Sequence, residues 1–249
     1  MTGADGRGQL VRELLVASQA VLFGRVDVLD AAALSLLTTD ALPEPDRAAA
    51  VRTAHQLISL SAFGVTRGGQ LAMRAEDLLT GTDEPAEQGA ELAELSAGIR
   101  AALEAALADR GAAPAPEGPA TPTGSVAPDI LVVEDDAVLV ELLVRALDGA
   151  GYSVATASDG PAAVAAVDVP PALRPRLVLL DIDLPALDGF GVLRALAQRG
   201  LLPDVSVLCL TARASEPDVL SVLSLGAVDH VAKPFSLPVL LARVTRALG

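Results

Sequence analysis

Leu177-Val178-Leu179-Leu180-Asp181-Ile182-Asp183-Leu184-Pro185-Ala186-Leu187-Asp188-Gly189 is the stretch on which the reading of this chain turns. Four apolar residues run directly into an aspartate, and a short loop ends in Asp-Gly. An unbroken apolar run of this length reads as a strand buried on both faces, the kind parallel sheets use. Open α/β sheets place their chemistry at the carboxyl ends of such strands. Asp181 is therefore the first candidate for a reactive side chain.

Outward from this stretch the C-terminal part repeats one pattern. Strands are expected at Ile130–Val133, Tyr152–Ala157, Leu177–Leu180, Val205–Leu210 and Val228–Val231. Between and after them lie helical stretches at Val138–Leu147, Pro161–Val167, Phe190–Gln198, Pro217–Leu225 and Leu237–Leu248. Short apolar strands alternating with helices give (βα)5, a doubly wound parallel sheet with helices on both faces. Right-handed crossovers then gather the ends of the central strands at one edge.

The N-terminal part, residues 1–110, has no strand pattern. Helices are expected over Val11–Leu22, ended by Gly24, then Asp27–Leu37 with Asp27 as cap, and about Asp46–Phe63, Thr66–Leu79 and Pro85–Arg110. These make an antiparallel helical bundle. Between the two parts, residues 111–128 hold five prolines, three glycines and five alanines in eighteen positions. Such a segment builds neither helix nor core and reads as a linker, able to reach roughly 50 Å at about 3 Å per residue. The expected organisation is thus multidomain, α plus α/β: residues 1–110, a linker at 111–128, and residues 129–249.

Bulk composition narrows the functions. The 249 residues are 51% apolar but contain only four Phe, one Tyr and no Trp, so the cores must be built of Leu, Val and Ala. A net charge of −14 without a basic stripe makes a nucleic-acid partner unexpected, and with no basic helix and nothing after Gly249 a DNA-binding output is not expected either. The single cysteine, Cys209, rules out an internal disulfide and a cysteine-based zinc site. No export signal or membrane-length apolar run is evident, so a soluble cytoplasmic protein without a membrane partner is expected.

The strand ends carry polar residues where the apolar pattern would otherwise continue. The first ends in Glu134-Asp135-Asp136, the third in Asp181 and the fourth in Thr211-Ala212, and the fifth is followed by Lys233-Pro234-Phe235. Brought together, several carboxylates repel one another and invite a hard cation, and oxygen ligands with open water positions suit Mg²⁺. Lys233 is a mobile point charge suited to a phosphoryl oxygen, and Thr211 can donate a hydrogen bond to another. Asp181 then has the role of nucleophile in an aspartyl-phosphate.

These pieces, with Leu184-Pro185, Asp188-Gly189 and Gly226-Ala227, make residues 129–249 resemble a response-regulator receiver domain of flavodoxin-like fold. The resemblance implies that Asp181 is the phosphoacceptor. It implies that Asp135 holds Mg²⁺ directly, Glu134 through water, and Asp183 through its backbone carbonyl. Thr211 and Lys233 would contact the phosphoryl group, and the domain would catalyse its own phosphorylation and dephosphorylation. His230 stands where the family carries an aromatic switch residue. The family's usual output face corresponds to the helix Pro217–Leu225, the fifth strand and the last helix. Asp183 departs from the family, which more often has an apolar or amide residue there. An Asp183–Arg213 pair gating water access is the corresponding expectation.

The remaining histidine, His55, lies at the margin of the buried stripe Val51, Ala54, Leu57, Ile58 and Ser61. The segment Ala54-His55-Gln56-Leu57-Ile58-Ser59-Leu60-Ser61-Ala62-Phe63-Gly64 resembles the active helix of a histidine phosphotransfer (Hpt) domain, with small Ser59 one turn beyond the histidine. Ile58 departs from that family, which typically has lysine there; Arg52 lies three residues before His55.

The expectation is a phosphorelay protein. Phosphate passes between a phosphohistidine, on a sensor histidine kinase or on His55, and Asp181. The competing reading keeps the receiver as a switch and makes the helical part only a docking or homodimer surface. An aspartyl-phosphate hydrolase is a third reading, disfavoured by Lys233-Pro234-Phe235 and the short (βα)5 length.

Overall fold

The computed structural model describes residues 3–82, 84–108, 127–202, 204–212 and 216–249. The chain divides into two compact units, Met1–Pro116 and Glu117–Gly249. Most of the expected linker lies outside the described residues, as does Arg213.

Among its described residues the N-terminal unit is helical: α1 (Gly3–Ala17), α2 (Gln19–Thr39), α3 (Glu44–Ile58), α4 (Thr66–Thr80) and α5 (Pro85–Ala108). The first break falls at Ser18, not at Gly24. Gly24 sits inside α2, costing about 1 kcal/mol relative to alanine. Buried Leu22, Val26, Leu29 and Leu36 hold the helix across it. Asp27, expected as a cap, instead lies mid-helix and pairs with Arg100 of α5 at 2.7 Å. Arg100 also meets Asp30 at 2.6 Å, and Ser96 donates to Asp30 at 2.5 Å, so α2 and α5 are tied by polar groups as well as packing.

Helix α3 starts at Pro43 and Glu44 with Pro45 in its first turn, where the missing amide hydrogen costs nothing. It runs into a 3₁₀ turn, Ser59–Ser61, and Gly64 at φ 79° reverses the chain into α4. The α4 backbone presses on that turn: a Cβ at Gly69 would lie 2.7 Å from the Ile58 carbonyl oxygen. At the far end of α4, Arg47 donates to the Leu79 carbonyl and Gln88 to that of Leu78, satisfying terminal acceptors.

The C-terminal unit is a five-stranded parallel sheet with helices. Its elements are β1 (Ile130–Val133), α6 (Ala137–Asp148), β2 (Val154–Ala157), α7 (Gly160–Val167), β3 (Leu177–Asp181), α8 (Gly189–Gln198), β4 (Ser206–Thr211), α9 (Glu216–Ser224), β5 (Asp229–Ala232) and α10 (Leu237–Leu248). Strand order is β2-β1-β3-β4-β5. Every residue of β1 and β3 is buried, and all of β4 after Ser206, as their continuous apolar runs require; the edge strands β2 and β5 are partly exposed. Register aligns Val133 with Leu180, Asp181 with Leu210, and Thr211 with Ala232. The strand order reverses between β1 and β3, and the crevice of such a sheet opens at their carboxyl ends. No helix among the described residues is long and apolar enough to cross a membrane.

Candidate functional site

Four strand ends build a pocket at that crevice. Glu134 follows β1 and is 2% exposed; Asp181 closes β3 and is wholly buried; Thr211 closes β4; Lys233 follows β5 and is 5% exposed. The Lys233 Nζ lies 3.0 Å from Glu134 Oε2 and 3.0 Å from Asp181 Oδ2. Glu134, Asp135 and Asp181 each bring an oxygen within 4.8 Å of the others.

The main chain holds these ends together. The Lys233 amide donates to the Thr211 carbonyl at 2.6 Å, the Ile182 amide to the Leu210 carbonyl at 3.0 Å, and the Gly189 amide to the Ile182 carbonyl at 2.9 Å. Gly189 is needed for this approach, since a Cβ there would lie 2.6 Å from the Asp181 carbonyl oxygen. Asp188, just before it, caps α8 by accepting from the Gly191 amide at 2.7 Å. The Asp183 amide donates to Asp181 Oδ1 at 3.3 Å.

The three acids after β1 divide their work. Asp136 turns to cap α6, accepting from the Val138 amide at 3.0 Å, and so lies outside the carboxylate cluster. Glu134 and Asp135 remain with Asp181. Burial, then the Asp181 charge, push the Glu134 carboxyl well above the ordinary carboxylate range against the pull of Lys233. Burial alone would lower the Lys233 ammonium, but Asp181 and Glu134 outweigh it and hold it above the usual lysine value. Burial and Asp181 likewise push the Cys209 thiol up to about 12, which leaves it an inert core residue.

The donor set fits a hard divalent cation. Three carboxylates face one ammonium, leaving excess negative charge in a largely dry pocket, and all the ligating atoms are oxygens. Glu134, Asp135 and Asp181 are the residues that could hold it.

His230 lies half-buried on β5 in register with Cys209, on the sheet face shared with Thr211. In the helical unit, His55 is half-buried on α3. Its Nδ1 lies 3.1 Å from Oε1 of Glu76 on α4. Ile58 is fully buried in the core, which accounts for an apolar residue at a position where the Hpt family typically carries lysine. Ser59 is buried and donates to the Gln56 carbonyl. Glu76 has no sequence signal of its own: the pairing crosses 21 residues and two helices.

A family model described as the response regulator receiver domain matches residues 130–245. The C-terminal unit is a receiver domain. Over the same part, the chain is 42% identical across 126 residues to the transcriptional regulatory protein PrrA of Mycobacterium tuberculosis, covering 51% of this chain and 52% of that protein. It is 46% identical across 119 residues to the response regulator MprA of the same organism, covering 48% and 49%. The chain therefore spans about half the length of the curated relatives it matches. Among solved structures, the Francisella response regulator 1452 receiver domain is 26% identical at a TM-score of 0.45, covering 49% of this chain and 96% of that one.

These relatives correct one expectation. DNA was excluded as a partner on the net charge of −14, the lack of a basic helix and the position of Gly249. A relative that shares the receiver domain is named a transcriptional regulatory protein, so that exclusion falls. Net charge is a chain-wide sum, whereas contact with nucleic acid depends on a local surface, and an acidic total does not decide it.

Proposed function

We propose that this protein is a cytoplasmic two-component phosphorelay protein in which Asp181 accepts a phosphoryl group from a phosphohistidine. The observation that carries the reading is Lys233, a buried ammonium 3.0 Å from both Asp181 and Glu134 in a pocket of three convergent carboxylates. Buried charges carry a desolvation penalty that only close pairing offsets, and convergent buried ionisable groups of this kind are concentrated at functional sites.

The Asp181 carboxylate is the nucleophile. It attacks the phosphorus of the phosphohistidine, forming a P–O bond as the P–N bond breaks. Lys233 is then within reach of a phosphoryl oxygen on Asp181, exchanging part of its hold on the carboxylates for the new charge. Thr211, at the end of the neighbouring strand, donates its hydroxyl to a second phosphoryl oxygen. Glu134, Asp135, Asp181 and the Asp183 carbonyl would hold Mg²⁺, which supplies charge neutralisation when bound. His230, on the Thr211 face of β5, is the proposed switch residue that follows the threonine. Asp183 stands at the pocket mouth, where an added carboxylate tunes the access of water to the acyl phosphate.

In the same reading the helical unit is an antiparallel Hpt-like bundle, residues 1–110, joined to the receiver, residues 129–249, by a proline-rich tether at 111–128. His55 exchanges phosphate with receiver aspartates, and a sensor histidine kinase or another phosphohistidine protein is the source. A second reading is favoured by the burial of Ile58, which leaves no lysine beside His55. There the helical unit only docks partners.

The test uses the intact protein with a radiolabelled small phosphodonor and Mg²⁺. Acid-stable, alkali-labile label that disappears in Asp181→Asn supports the receiver chemistry. Alkali-stable label that disappears in His55→Gln supports the relay. Label on Asp181 alone, with kinase and receiver partners supplied in turn, favours the docking reading. No label on Asp181 would sink the proposal.

A further inference from the structure

Helix α2 is apolar on both sides. Leu22, Val26, Leu29 and Leu36 are buried in the helical unit. On the opposite side Val21, Gly24, Val28 and Ala31 recur at spacings of three and four residues, which sets them in one stripe, with Ala20 and Leu34 along its edge. All six are exposed, Val21 by 50% and Leu34 by 61%. A helix that is apolar all round is ordinarily a buried one. Charge is scarce there too, since Asp27 beside the stripe is paired with Arg100 of α5. Further along, Ser35 and Thr38 turn their hydroxyls back onto the Ala41 and Leu34 carbonyls, so they ask for no hydrogen bond from outside. Gly24 is the telling residue. A Cβ there would meet nothing within 4 Å among the described residues, and its backbone is ordinary helix, so one copy of the fold gives no reason for glycine. Glycine weakens the helix that contains it, but on a helix surface it lets another backbone come close.

We infer that the outer stripe of α2 is a homodimer interface, in which α2 of a second copy packs across Gly24, Val28 and Ala31. Three features of the stripe suit a second copy rather than another partner. Its spacing is that of the seam between paired helices, and the same helix in another copy presents the same spacing, so one patch serves both sides of a two-fold contact. Its lack of net charge matters because each copy carries −14: two such molecules repel except where they meet over a neutral patch, whereas a cationic partner would be met by acidic side chains. Its size is sufficient. The 21 residues of α2 make a helix about 30 Å long and about 10 Å across, and two copies meeting along it would bury roughly 1,000 Å² in total, where specific interfaces begin. A contact of that size is weak and reversible. Association through α2 is separate from phosphate chemistry at His55 or Asp181.

The experiment is sedimentation equilibrium of the intact chain across the micromolar range, with Gly24→Leu and Val28→Glu. A monomer weighs 25.2 kDa. The parent is expected to approach twice that mass at the upper end, and to do so more readily as salt screens the repulsion between two acidic copies. Gly24→Leu fills the space the second helix would enter while favouring helix within one copy. Val28→Glu puts a charge at the middle of the seam. Both variants are expected to associate about tenfold or more weakly than the parent, as loss of a central contact implies. Circular dichroism melts are expected to show Gly24→Leu at least as stable as the parent, so its loss of association cannot come from unfolding; should Val28→Glu melt early, Gly24→Leu alone decides. A parent that stays at monomer mass throughout overturns the inference. So does a dimer that persists in Gly24→Leu, which would place the contact on another face, or one that salt weakens, which would mark an ionic contact.

Discussion

Replacing Lys233 with methionine removes the only ammonium from the receiver pocket while keeping most of its packing. In the parent, that ammonium lies 3.0 Å from each of two carboxylates, and none of the three residues is more than 5% exposed. Removing one partner of a buried charge group costs about 3–5 kcal/mol because the remaining charge is left uncompensated. The charge left uncompensated is chiefly that of Asp181, since burial already pushes the Glu134 carboxyl up to about 8 in the parent. The ordinary value for that carboxyl is 4.5. Keeping it protonated in the fold costs about 1.4 kcal/mol for each pH unit above its unfolded value. At pH 5.5 that is about 1.4 kcal/mol, and at pH 8 about 5 kcal/mol.

The sign follows from the same shift. Glu134 is raised in the folded state, so its contribution is most favourable below its unfolded value and is lost as pH rises towards the folded one. Without Lys233 the folded value rises further, so parent and variant lose stability in parallel up to about pH 8 and diverge above it. Lys233→Met is therefore expected to destabilise the receiver by about 3–5 kcal/mol in a chelator, nearly constant from pH 5.5 to pH 8 and larger above it. Urea unfolding followed by tyrosine fluorescence measures this in the intact chain, because Tyr152 is the only tyrosine and there is no tryptophan. A loss below about 1 kcal/mol at pH 8, or one that changes steeply between pH 5.5 and pH 8, would refute the reasoning.

Two further substitutions test the loop that follows Asp181. Gly189→Ala would place a methyl 2.6 Å from the Asp181 carbonyl oxygen and 2.7 Å from the Ile182 Cα, backbone atoms that cannot turn aside. It is expected to cost about 2–3 kcal/mol and to slow labelling of Asp181, measured by urea unfolding and the phosphodonor assay. Ala186 adopts φ 65°, a left-handed conformation that disfavours a Cβ. Ala186→Gly is expected to stabilise the receiver by about 0.5–1 kcal/mol with no change in labelling, and a lower unfolding midpoint would contradict that.

The receiver was legible because its physics is local. Buried parallel strands must be apolar throughout, so β1, β3 and β4 stand out, and the polar residue that breaks each run marks the pocket. The third acid after β1 was less legible. Asp136 reads like its neighbours, yet helix capping takes it, because the first amides of α6 need an acceptor. In the helical unit, Gly24 reads as a terminator on propensity, but the buried apolar residues on either side outweigh about 1 kcal/mol. Glu76 could not be read at all, since nothing in the spacing of two helices states which of their polar residues will meet. Arg213, the expected partner of Asp183, lies outside the described residues.

The receiver pocket has a floor of main chain and a rim of side chains. Amides at Ile182, Gly189 and Lys233 tie the strand ends whatever residues surround them. At the rim, the side chains of Asp183 and Ala186 make none of these main-chain bonds, although the Asp183 amide donates to Asp181 Oδ1 at 3.3 Å. The two can therefore change independently. Exchanging a rim side chain would leave the main-chain ties, and with them the placement of the strand ends, as they are.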